Sequence, residues 1–169
     1  YKNTLGLPPH ITSTTGMDAL THAVEAYIGG STTRKTRDAA EKATRLIVNN
    51  LEKAYENGHN ATARENMLMG AYLAGVAFTI SYVGYVHAVA HSLGGKYGVP
   101  HGLANAIILP HFLDSYGKPI YKKLAKLARI SGIADSNDNN KTASNKFITW
   151  IKETNKKMGI PTYIEALKE

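Results

Sequence analysis

Apolar residues in this chain recur three and four positions apart, and that spacing commits it to helices rather than strands. In "GMDALTHAVEAYIGG" Met17, Leu20, Val24 and Ile28 share one stripe, and Gly29 and Gly30 provide a stop. From Thr36 to Tyr55 the stripe is Ala39, Ala43, Leu46, Ile47 and Leu51, ended by "ENGHN". "ATARENMLMGAYLAGVAFTISY" starts polar and becomes apolar on nearly all sides, which predicts a helix buried at its far end. "YVHAVAHSLGGKYG" predicts a second buried helix, broken by Gly94 and Gly95. "VPHGLANAIILPHFLDSYG" predicts a Pro-His-Gly turn leading into a helix kinked at Pro110. The amphipathic segments "PIYKKLAKLARI" and "SNKFITWIKETNKKMG" complete the set, with "SGIADSNDNNKT" between them as a polar, mobile loop. No segment alternates as a strand does, and none repeats. The expectation is an all-α helical bundle forming one domain over residues 1–169.

A chain of 169 residues, 43% hydrophobic, is long enough to bury a substantial core. It has no cysteine, which excludes disulfides and thiolate chemistry and leaves the redox compartment open. No apolar run approaches the ~18 residues of a membrane span. "YKNTLGLPPH" has no signal-peptide pattern, so a cytoplasmic location is expected. The same opening reads as an extended lead-in and "GIPTYIEALKE" as a helix barely begun, as in a fragment of a larger protein. The net charge of +7 invites a nucleic-acid reading. The basic residues are dispersed, however, and in "IYKKLAKLARI" they alternate with apolar ones as the solvated face of an amphipathic helix does.

Seven histidines are present, and "HAVAHSLGGKYGVPHGLANAIILPH" holds four of them. An imidazole buried without a partner costs about 1–3 kcal/mol, so such rings either satisfy one another or hold something. His87 and His91 stand at i and i+4 on one helix face, as Asp18 and His22 do on another. His101, between Pro100 and Gly102, sits where a tight turn can aim its ring. A carboxylate with neutral imidazoles suits Fe(II), Zn(II) or a similar ion. His59 is expected in solvent and His10 in the lead-in. His111 is expected as a core or supporting imidazole.

"TGMDALTHAVEAYIG" followed by "HAVAHSLGGKYGVPHGLANAIILPH" resembles the signatures of the iron-dependent (type III) alcohol dehydrogenases, a likeness running from about Leu7 to the end. The resemblance implies Asp18, His22, His87 and His101 as metal ligands. It implies His91 near the metal, in contact with substrate or cofactor and able to relay a proton, and Phe78 lining the substrate pocket. It also implies the all-helical C-terminal domain of a dehydroquinate synthase-like fold, packed in the family against an N-terminal α/β domain that binds NAD or NADP. This chain holds no glycine-rich phosphate loop after a strand; "SLGGKYG" reads as a helix terminator. No cofactor-binding residue is therefore assigned.

The implied reaction is oxidation of a small alcohol to an aldehyde or ketone by hydride transfer to NAD(P), with the metal as Lewis acid. Four protein ligands with open positions suit Fe(2+) better than tetrahedral Zn(2+), although Zn(2+) is possible. The chain alone is expected to be inactive, and an apolar cleft left without its partner domain favours a homo-oligomer. A zinc-dependent glycerol or polyol dehydrogenase relative is the alternative within the enzymes. A basic helical module binding nucleic acid or protein is the alternative outside them. The main expectation has neither a nucleic-acid nor a membrane partner.

Overall fold

Local chemistry sets where each helix starts. A computed structural model describes residues 1–82 and 84–164. Helix α1 (Pro9–Ile28) opens with Pro at its first position, where the missing N–H costs nothing. It therefore begins earlier than the apolar stripe suggested, and His10 lies on its exposed first turn rather than in an extended lead-in. A short 3₁₀ turn, Lys2–Thr4, precedes it. Helix α2 (Arg34–Glu56) starts on a reciprocal capping box between Thr33 and Thr36. Asn60 and Asn139 cap α3 (Ala61–Ser81) and α7 (Asn140–Lys157) through their side chains. Between them run α4 (Tyr85–Tyr97), α5 (His101–Tyr116), a 3₁₀ turn at Lys118–Ile120, and α6 (Tyr121–Ile130). No strand occurs among the described residues, so the all-α expectation holds.

Helix α1 is central, packing on α2, α3 and α5; α2 pairs with α3, α6 pairs with α7, and α5 touches α4 and α7. Met17, Leu20, Ile47, Leu51, Leu109, Leu124, Phe147 and Ile151 are fully buried in one continuous core. Arg64 is buried as well. Its guanidinium donates to Thr12 Oγ1 at 2.7 Å, to the Gly58 carbonyl at 2.9 Å and to the Leu7 carbonyl at 3.2 Å. Those bonds tie the lead-in and the α2–α3 loop to α1.

Several sequence expectations are corrected. Helix α3 is not buried at its far end: Gly70, Ala74, Ala77 and Ser81 face inward, while Leu68, Met69, Tyr72 and Ile80 lie exposed. The inner stripe is small because neighbouring helices approach closely; a Cβ at Gly70 would lie 2.8 Å from Ile47 Cγ1. Helix α4 is only half buried, and it runs through Gly94 and Gly95. It ends instead at Gly98, whose left-handed φ of 67° suits glycine. Pro110 lies inside α5 without ending it. The 131–139 loop is anchored: Arg129 donates to the Asp138 carbonyl at 2.6 Å, and Lys146 pairs with the Asp138 carboxylate at 2.7 Å. "GIPTYIEALKE" is irregular over 160–164, and its remainder falls outside the described residues.

Candidate metal centre

Three helices converge at one end of the bundle. Helix α1 presents Asp18 and His22 one turn apart, each half-buried. Helix α4 inserts His87, whose side chain is 1% exposed. Helix α5 contributes His101, which is its first residue, so helical geometry and not a free turn aims the ring. The Pro-His-Gly signature then has a steric meaning. Pro100 is the N-cap residue, and Gly102 lies so near α1 that a Cβ there would be 2.7 Å from the Thr14 carbonyl oxygen.

The carboxylate of Asp18 sits among the three rings. Its Oδ1 is 3.3 Å from His101 Nε2 and 3.5 Å from His87 Nε2, and its Oδ2 is 3.7 Å from His22 Nε2. One ligand atom from each of the four residues lies within 4.8 Å of the others. Buried polar atoms are normally paired, yet His87 Nε2 has no hydrogen-bond partner. An unpartnered imidazole nitrogen facing a carboxylate, with two further imidazoles beside it, is a donor set that fits a divalent ion of borderline character.

Electrostatics separate the rings. Burial pushes His22 down to about 4, assisted by the neighbouring charge of His87. Burial also works against a charged His87, but the neighbouring carboxylates of Asp18 and Glu25 outweigh it and raise the ring to about 9. Asp18 is raised by burial, yet His87, His22 and Asn105 hold it below the usual carboxylate value. The charged form is therefore favoured at His87 and disfavoured at His22.

The remaining candidates divide. Phe78 stacks on His22, with ring centroids 4.4 Å apart. His91 is exposed, 4.9 Å from the His101 ring and 6.3 Å from His87, beside the four-residue cluster but not in it. His59 is exposed as expected. His111 is not a core imidazole: it lies exposed, with Nε2 3.3 Å from the Thr162 carbonyl oxygen, because Pro110 and not His111 occupies the inward position on α5.

Two residues escaped the sequence reading. Buried Glu25 accepts from His87 Nδ1 at 2.6 Å and from the Val86 amide at 2.8 Å. Asn105 donates to Asp18 Oδ1 at 2.6 Å and stands 3.0 Å from His101 Nε2. The signal for each was spacing: Glu25 follows Asp18 and His22 at i+7 and i+3, and Asn105 follows His101 at i+4.

The domain is all-helical and sets a carboxylate among three imidazoles, a donor set that could hold a metal ion. The chain belongs to the Fe-containing alcohol dehydrogenase family: the model of that family's C-terminal region matches residues 12–168. It is 44% identical over 163 residues to the 1,3-propanediol dehydrogenase of Klebsiella pneumoniae, covering 96% of this chain and 42% of that protein. It is 39% identical over 159 residues to an NADPH-dependent butanol dehydrogenase of Clostridium saccharobutylicum, covering 94% of this chain and 40% of that protein. A crystal structure of a 1,3-propanediol oxidoreductase superposes with a TM-score of 0.92 at 42% identity, over 98% of this chain and 43% of the other. The chain thus spans less than half the length of these relatives. Among the described residues, no single helix is long and apolar enough to cross a membrane.

Proposed function

We propose that Asp18, His22, His87 and His101 hold a divalent metal ion, ferrous iron before zinc, in an NAD- or NADP-dependent dehydrogenase of short-chain alcohols. The convergence of one carboxylate and three imidazoles from α1, α4 and α5 within 4.8 Å carries this reading. When bound, the ion supplies Lewis acidity at the alcohol oxygen and the nicotinamide supplies a hydride acceptor. Phe78, stacked on His22, walls the pocket for the carbon chain. His91 accepts the hydroxyl proton and passes it to water, for which its exposure gives a direct route.

A dinucleotide-binding domain completes the cleft, in a cytoplasmic, homo-oligomeric enzyme, and the 169-residue chain alone does not turn over. Some of the positive charge is engaged locally, as in Lys126–Glu41 at 2.6 Å and Lys157–Glu52 at 3.1 Å, which favours a solvated helical surface over a polyanion site. Titration with Fe(II) and Zn(II) tests the centre: one ion binds per chain in the wild type, and Asp18→Ala and His87→Ala abolish it. Equal affinity in all three removes the proposal. Aldehyde reduction with NAD(P)H by the purified chain overturns the requirement for a second domain.

A further inference from the structure

Glu25 lies behind the four-residue cluster, and its carboxylate is spent entirely on α4. One oxygen, Oε1, accepts from the Val86 amide at 2.8 Å. The other accepts from His87 Nδ1 at 2.6 Å, and it lies 3.2 Å from the Gly84 amide and 3.4 Å from the His87 amide. The side chain is 3% exposed, so these bonds stand in for the water it has lost. Space around it is equally committed. A Cβ at Gly84 would collide with the carboxylate, which gives this glycine a reason independent of its backbone angles.

An ionised carboxylate can only accept hydrogen bonds. At 2.6 Å it compels Nδ1 of His87 to carry hydrogen, and the remaining nitrogen, Nε2, is the buried, unpartnered one that faces Asp18. We propose that Glu25 is a positioning residue for the metal centre: it fixes the hydrogen of His87 on Nδ1, turns Nε2 toward Asp18, and with the same carboxylate docks the first turn of α4 onto α1. Ring orientation and helix docking are therefore one event. This rests on the metal reading above and adds a residue that touches neither ion nor substrate. Partners of ligating histidines are typically worth 10–100-fold in metal affinity.

A glutamine cannot replace it. An amide has one accepting oxygen, so its NH₂ group must face either the Val86 amide or His87 Nδ1. The first choice opposes two donors; the second invites the tautomer whose Nε2 carries hydrogen and cannot bind a metal.

The experiment measures Zn²⁺ affinity by chelator competition in wild type, Glu25→Gln and Asp18→Ala, with hydrogen exchange at the start of α4. Expected are a 10–100-fold weakening in Glu25→Gln, faster exchange at Val86 and His87, and loss of binding in Asp18→Ala. Wild-type affinity in Glu25→Gln beside lost binding in Asp18→Ala overturns the role of Glu25 and leaves the centre standing. Wild-type affinity in both overturns the centre and this role with it. Two-bond ¹H–¹⁵N correlations on the zinc-loaded wild type decide the matter even if Glu25→Gln fails to fold. Hydrogen on Nδ1 of His87 supports the assignment, and zinc on Nδ1 overturns it.

Discussion

The two ends of the bundle bury different things. Where α6 and α7 close on the rest, Leu124, Leu127, Phe147 and Ile151 are fully enclosed apolar side chains. Where α1, α4 and α5 meet, two carboxylates, imidazoles and an amide cluster together, with His22 Nδ1, His87 Nε2 and Asn105 Oδ1 unpartnered; the unpartnered atoms on α6 and α7, Arg129 Nε, Ser144 Oγ and Asn155 Oδ1, belong to no such His/Asp/Glu cluster among the described residues. Burial stabilises the first end in proportion to the area removed from water. At the second end burial penalises each polar atom that is left unsatisfied. One end is packed apolar core, and the other is the candidate metal centre.

The contrast breaks most visibly at the apolar end. Phe147→Ala is expected to cost about 3–5 kcal/mol of unfolding free energy. Zn²⁺ affinity of the folded fraction should be unchanged; a parallel loss of affinity in urea titrations would show that the two ends are not separable. The converse is His87→Ala, expected to lower metal affinity at least 100-fold, about 2.8 kcal/mol. It should destabilise the metal-free chain less than Phe147→Ala does, as denaturant midpoints will show. Gly102→Ala tests the close approach of α5 to α1 beside the cluster. Because the Cβ would meet the Thr14 carbonyl at 2.7 Å, α5 must shift, with about 1–3 kcal/mol of overpacking cost and a longer His101–Asp18 separation. A crystal structure of the variant with His101 unmoved would contradict this.

The smallest effect is that of pH on the metal-free chain. His87 is raised from 6.5 to about 9 on folding, so its contribution is complete below pH 6.5 and is lost as pH rises through about 9. His22 is lowered from 6.5 to about 4, so its contribution is complete above pH 6.5 and is lost as pH falls through about 4. Stability attributable to the pair should peak near pH 6.5 and drop by about 0.6 kcal/mol in the first unit to either side, and more steeply beyond. His87→Ala should flatten the alkaline limb and His22→Ala the acid limb. Unchanged limbs in these variants would detach both rings from the stability of this end.

Helix content was legible because 3.6-residue periodicity is a local property, and the stripes of α1, α2, α6 and α7 announced themselves. Burial was not, because it depends on what lies opposite. Helix α3 carries larger apolar side chains on its outer side than on its inner one, since close approach selects Gly70, Ala74 and Ala77 for the contact. The Asp18, His22, His87 and His101 set was readable from side-chain type and motif order. Glu25 offered only its i+3 and i+7 spacing from His22 and Asp18, and a lone glutamate within "HAVEAYIGG" otherwise looks solvated until α4 folds over it. Helical reading also missed that His101 begins a helix, because Pro and Gly on either side have turn chemistry as well as N-terminal chemistry.

Arg64 has a mechanical consequence. Its flat guanidinium clamps the Leu7 carbonyl, Thr12 and the Gly58 carbonyl at once, with Leu7 lying 57 positions before Arg64 in the chain. The strand of backbone entering α1 and the bend joining α2 to α3 are thereby geared together. A tug on the residues ahead of Pro9 is transmitted to that bend directly, without passing through the apolar interior.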